Sequence, residues 1–152
     1  MRIILVTFAI LASSLSQSAH ADNWIGLALS TDGTELLADP DSLKPIMGDR
    51  VAIWTYRKGG PFFTLKDGRV RHSYRTRYFA DCSRNQVGTN EAIWYDAEGK
   101  TLNRYLWPVP EMEPITPNTN GESVFLFACD PAHRSKQTEW YESFGAPKVK
   151  AP

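Results

Sequence analysis

The sequence predicts an α+β fold: a single antiparallel β-sheet of about six strands, with a C-terminal helix packed on it and one disulfide. Three observations carry that expectation. Short runs of alternating or wholly apolar residues are separated by turn clusters rich in glycine, aspartate and proline. Late in the chain Thr119 stands three residues before Glu122, the spacing at which a hydroxyl and a carboxylate satisfy each other's backbone amides at a helix start. Two cysteines, Cys82 and Cys129, fall at the end of a strand candidate and at the end of that helix candidate. With 152 residues, 42% of them hydrophobic and 22% charged, the chain is sized for one core.

Residues 1–21 read as a secretory signal peptide. They carry a basic start (Arg2), an apolar run over 3–11 and the small-x-small ending Ala19-His20-Ala21. The apolar run is too short to span a bilayer, and no later stretch approaches the ~18 apolar residues that a spanning helix needs. Cleavage after Ala21 removes Arg2 and no acid, so the formal charge moves from 0 to −1. That balance excludes a globally basic nucleic-acid binder. The leader has no cysteine, so lipid anchoring through it is not expected, and the location predicted is periplasmic or secreted. Export also places Cys82 and Cys129 where thiols oxidise, which predicts their pairing; two buried thiols in a reducing compartment are the alternative.

The elements follow in order. Residues 24–29 form a short apolar strand ended by Ser30-Thr31-Asp32-Gly33, and 34–38 return as its hairpin partner. Asp39-Pro40-Asp41-Ser42 breaks that strand, and 43–49 read as a connection. Over 51–57 both sides are apolar, Val51, Ile53 and Thr55 against Ala52, Trp54 and Tyr56, which suits a central strand covered on both faces. Gly59-Gly60-Pro61 stops it. A turn at Asp67-Gly68 opens the longest alternating run, 69–79, and the strands 91–95 and 101–107 are joined by a loop ending near Gly99.

Four prolines, Pro108, Pro110, Pro114 and Pro117, then make a connecting arm that is not expected to pair. The helix starts at the Thr119/Glu122 box and closes at Pro131, although the unbroken apolar run 124–128 also suits a seventh, buried strand. These signals divide the chain into a leader (1–21), one domain (22–131) and a partly flexible tail (132–152).

One constellation carries chemistry. Between 57 and 77 stand Arg57, Lys58, Lys66, Arg69, Arg71, Arg75 and Arg77 against the single acid Asp67, a local charge of +6 in a nearly neutral chain. On a strand, the period of two places Arg69, Arg71, Ser73, Arg75 and Arg77 on one face, neighbours about 6.6 Å apart, with Val70, His72, Tyr74, Thr76 and Tyr78 on the other. A guanidinium ladder suits an anionic glycan, glycolipid or acidic protein. The competing reading is a solvated face paired with acids of the next strand and turn, Glu91, Asp96 and Glu98.

Other chemistry is thin. The sequence calls for no metal and no cofactor: His72 and His133 are the only histidines after the leader, and Cys-x-x-Cys-His is absent. No nucleophile elbow, zinc-protease motif, phosphate loop or dinucleotide fingerprint occurs, so no catalytic residue is assigned. The carboxylates Glu111 and Glu113 fall in the proline arm, where position is poorly fixed. Phe62 and Phe63 follow Gly59-Gly60-Pro61 in a loop, either exposed as a contact surface or tucked into the core.

The order of landmarks resembles the surface-adhesin protein E-like domain family. The residues that carry the resemblance are Trp24, Thr31-Asp32-Gly33, Ala38-Asp39 with Ser42, Val51-Ala52-Ile53-Trp54, Ser73, Asp81-Cys82, Tyr95-Asp96-Ala97-Glu98-Gly99 and Cys129. They span roughly residues 24–130. The resemblance implies a small exported α+β domain whose Cys82 and Cys129 are joined, and a role in binding rather than catalysis; its best-known member is an outer-membrane lipoprotein that binds host extracellular-matrix proteins. The missing leader cysteine departs from that member. The function expected is therefore an exported, non-enzymatic binding domain for an anionic macromolecule or acidic protein, with a small-molecule carrier, for example of haem through His72, as the alternative.

Overall fold

Six strands cross an open antiparallel sheet in chain order: β1 (Ile25–Leu29), β2 (Glu35–Pro45), β3 (Arg50–Thr64), β4 (Val70–Asp81), β5 (Gln86–Tyr95) and β6 (Thr101–Leu106). A two-residue strand, β7 (Glu113–Pro114), also pairs with β5, and two helices follow, α1 (Asn120–Cys129) and α2 (Pro131–Ser143). This computed structural model describes residues 23–145, 149 and 152. The leader read at 1–21 lies outside them, as do residues 146–148, 150 and 151 of the tail.

The hairpins close where the sequence placed its turn residues. At Asp67-Gly68 the glycine takes φ +84°, and the Asp67 carboxylate accepts the Arg69 amide at 3.1 Å. Asp32-Gly33 repeats the device, with Asp32 accepting the Thr34 amide at 2.9 Å. An aspartate that caps the turn and a glycine free to adopt positive φ are what a tight reversal needs.

Both predicted strand breaks are bulges instead. β2 runs through Asp39-Pro40-Asp41-Ser42 and regains its register at Lys44 opposite Ala52. Here the Ser42 hydroxyl accepts the Trp54 amide at 2.8 Å and donates to the Asp39 carbonyl at 2.6 Å, standing in for the missing ladder partner. β3 likewise passes Gly59-Gly60-Pro61, pairing Lys58 with Ser73 before the interruption and Phe63 with Arg71 after it. The arm expected to stay unpaired donates β7, whose Pro114 is tolerated at the sheet margin opposite Gln86.

The helix predicted at the capping box is α1: Thr119 accepts the Glu122 amide at 3.4 Å, and the Glu122 carboxylate accepts the Asn118 amide at 2.7 Å. Residues 124–128 are therefore helical, not a seventh strand. Pro131 opens a second helix that the sequence reading did not foresee. Asp130 accepts the amides of Ala132 and His133, and Pro131, which has no amide to leave unpaired, fills the first turn.

The main core lies between one sheet face and α1, while a smaller buried cluster, Trp24, Leu37 and Tyr56, sits on the opposite face. Ile25, Leu36, Ala38, Ile53 and Ala80 meet Val124, Phe127 and Ala128, all buried. The Cys82–Cys129 disulfide ties the end of β4 to the end of α1 with Cα atoms 5.5 Å apart. α2 covers the outer edge of β1: Gln137 donates to the Gly26 carbonyl at 2.6 Å, and the Tyr141 ring occupies the space a side chain at Gly26 would fill. Among the described residues no helix is long and apolar enough to cross a membrane.

Beside the disulfide, Asp81 gathers the β4–β5 turn. Its buried carboxylate accepts from Arg50 Nε at 2.9 Å, Ser83 Oγ at 2.9 Å and the Arg84 amide at 3.1 Å. The Arg50 hydrogen bond, above all, holds its pKa below the usual carboxylate range.

Two expectations follow. Replacing both cysteines by alanine frees a 47-residue loop, and urea unfolding of the double variant should lie about 4 kcal/mol below the parent on loop-entropy grounds. Because the folded-state pKa of Asp81 is depressed, its contribution is present at neutral pH and is lost as pH falls below the ordinary carboxylate range. Urea midpoints followed from neutral to acid pH should therefore fall less steeply for Asp81→Asn than for the parent.

Candidate functional site

The helices leave one end of their sheet face uncovered. Strand registers continue that face from Ile53 and Tyr78, beneath α1, to Tyr74 on β4, its cross-strand partner Trp94 on β5, and Tyr105 on β6. There a row of rings crosses the sheet. Phe63 meets Trp94 edge-on at 5.9 Å, Trp94 meets Tyr105 at 4.9 Å, and Tyr105 stacks on Trp107 at 6.2 Å. Phe63, Tyr105 and Trp107 are 50%, 37% and 46% exposed. Local sequence explains the row: Tyr105 and Trp107 are two apart on β6 and its extension, so both rings rise on one side, and the β3 bulge delivers Phe63 opposite Arg71.

Arg71 stands within this row. Its guanidinium lies 4.6 Å from the Tyr74 ring centroid, 5.0 Å from Trp94 and 5.2 Å from Phe63. Ring faces attract the cation and hold its long side chain in place. Among the described residues no carboxylate is paired with it. On the far side of Tyr74, Arg57 donates to the phenol oxygen at 2.7 Å.

The four arginines expected to form a ladder do not line up. Arg69 precedes β4 and is held by Asp67 at 2.6 Å, while its other nitrogen donates to the Leu102 carbonyl at 3.0 Å. Arg71 reaches the Tyr74 and Trp94 side. Arg75, next to Tyr74, faces the opposite way, over the buried Trp24 ring at 5.3 Å, and Arg77 lies over Phe79 at 5.3 Å on that second side. The interruption of β3 between Lys58 and Phe63 falls opposite Arg71 to Ser73 and sets Phe63 across from Arg71.

Two of the three acids proposed as ladder partners, Glu91 and Asp96, are engaged elsewhere. Buried Glu91 takes Arg104 at 2.7 Å, and Asp96 caps its own turn by accepting the Glu98 and Lys100 amides. His72 packs on Phe62 with ring centroids 4.1 Å apart, beside a cavity of about 160 Å³ that Arg57 and Arg71 also line. That volume is below the roughly 300–1,000 Å³ of ordinary small-molecule sites, so the haem-carrier alternative gains no pocket at His72. Phe62 and Phe63 are exposed rather than tucked into the core.

A cleft of about 530 Å³ runs between β5, the proline arm and the start of α1, with Glu111, Glu113 and Trp107 on its walls. Sequence reasoning missed the ring row itself, although the Tyr105-x-Trp107 spacing on a strand was a usable signal.

A family model described as surface-adhesin protein E matches residues 24–130. A search of curated proteins gives no match. Among solved structures, the crystal structure of protein E from non-typeable Haemophilus influenzae is similar at TM-score 0.55 and 14% identity, covering 80% of this chain and 89% of that one. Crystal form II of Haemophilus influenzae protein E gives TM-score 0.54 and 14% identity over 70% and 87%. At that identity the likeness speaks to the fold.

Arg71 rests on rings at the surface and closes no buried ion pair. Arg71→Ala should therefore keep the fold by circular dichroism and lower the urea-unfolding free energy by only about 1 kcal/mol.

Proposed function

The chain belongs to the surface-adhesin protein E family, and from that premise we propose that it is an exported, non-enzymatic binding domain that holds an anionic macromolecule or acidic protein surface. The leader at 1–21 directs export, residues 22–131 carry the binding domain, and the mature protein works in the periplasm or after release. The observation that supports this reading is Arg71, a cation with no carboxylate partner among the described residues, fixed between three rings on a sheet surface the helices leave uncovered.

An anion docking there meets a guanidinium already oriented, so little side-chain entropy is lost on binding. Of the four arginines, Arg71 is the one this reading places against ligand. Arg69 is neutralised by Asp67, and Arg75 and Arg77 serve the other face.

Purified protein should be retained on immobilised heparin or on acidic polypeptide at low ionic strength, with retention falling as salt rises, because the contact is charge-led. Arg71→Ala should weaken retention several-fold, and Arg77→Ala should leave it nearly unchanged. Retention that ignores salt, or an equal loss in both variants, would contradict this assignment.

A further inference from the structure

The ring row narrows the chemistry of the ligand. We infer that the surface formed by Phe63, Arg71, Trp94, Tyr105 and Trp107 binds a sparsely charged, uronate-type glycan, its sugar rings lying on the aromatics and its carboxylate on Arg71. The inference rests on the binding-domain reading above and deepens it.

Two features separate this ligand from a dense polyanion or an acidic peptide. The first is charge density. Arg69 is already neutralised by Asp67, Arg75 and Arg77 lie on the opposite face, and Arg57 donates to the Tyr74 phenol oxygen. Two guanidiniums, Arg71 on the row and Arg57 beside Tyr74, therefore carry no carboxylate partner among the described residues, enough for well-separated carboxylates and too few to favour closely spaced sulfates. The second is ring geometry. Neighbouring rings lie 4.9 to 6.2 Å apart along a line that runs from Phe63 on β3 past β4 to Trp94 on β5, Tyr105 on β6 and Trp107 just beyond it.

A line of exposed rings offers successive flat apolar faces. Pyranose rings present matching C–H faces, which acidic side chains of a peptide lack. The electron-rich ring faces attract those weakly positive C–H groups by the same electrostatics that favours edge-to-face aromatic contacts. Arg71 then supplies direction: held by ring contacts rather than by an ion pair, its N–H groups can bind a carboxylate in bidentate fashion.

The test measures binding of the purified protein to four probes by calorimetry: polygalacturonate, its methyl-esterified form, polyglutamate and single-stranded DNA. Polygalacturonate should bind most tightly. Esterification, which removes charge and keeps the sugar faces, should weaken it about tenfold, as should Arg71→Ala. Tyr105→Ala and Trp107→Ala, at exposed positions outside the core, should each weaken polygalacturonate severalfold while leaving any polyglutamate binding unchanged.

Polyglutamate bound as tightly as polygalacturonate, or ring variants without effect, would overturn the glycan assignment and leave the binding-domain reading standing. Preferred binding of single-stranded DNA would overturn it in favour of base stacking. Failure of every probe would remove both.

Discussion

The disulfide between Cys82 and Cys129 decides which end of the sheet is covered, and the rest of the surface follows from it. It pins the C-terminal end of α1 to the C-terminal end of β4. A helix of 10 residues extends about 15 Å, whereas a strand of 12 residues extends about 40 Å. Anchored at one end, α1 reaches Ala80, Tyr78 and Ile53 but leaves Tyr74, Trp94 and Tyr105 without a cover. α2 does not make up the difference, because its contacts turn aside to the β1 edge through Gln137 and Tyr141.

The electrostatics follow the same geometry. Where acids and cations meet on the covered or turn-forming parts of the fold they pair locally, as in Arg50 with Asp81, Arg69 with Asp67 and Arg104 with Glu91. Each pair ties neighbouring strands or a turn. Arg71 differs because its partners are rings, and a cation held by rings keeps its hydrogen-bonding edge free. A segment with local charge +6 therefore presents much less charge to any one face than its composition suggests.

Much of the fold was legible because it depends on local rules. Aspartate-glycine turns, the Thr119/Glu122 box and the two cysteines each act within a few residues or through one covalent bond. The readings that failed depend on partners distant in sequence. Asp39-Pro40-Asp41-Ser42 looks like a strand end until Ser42 is seen to accept the Trp54 amide from the next strand. Gly59-Gly60-Pro61 looks like a terminus until Phe63 is seen to pair with Arg71. The arginine pattern was read from spacing alone, and spacing does not say where a long side chain ends: Arg71 reaches rings on the Tyr74 side and Arg69 turns to Asp67. The ring row had one sequence signal, Tyr105-x-Trp107, but aromatic residues in strands most often signal packing, and the reach of α1 separates the two fates.

The interruption in β3 also bears on how such a surface diversifies. Lys58 pairs with Ser73 on one side of it and Phe63 with Arg71 on the other, so residues 59–62 hang between two fixed rungs. Gly59 and Gly60 take positive φ against Gly33 and Thr34 of the β1–β2 turn. The variable feature is therefore the length of the insert, which sets which residue reaches the rung opposite Arg71 while the core residues earlier in β3 stay in place. Recognition and foldability thus sit on separate stretches of one strand, and mutation can explore the first while selection holds the second constant.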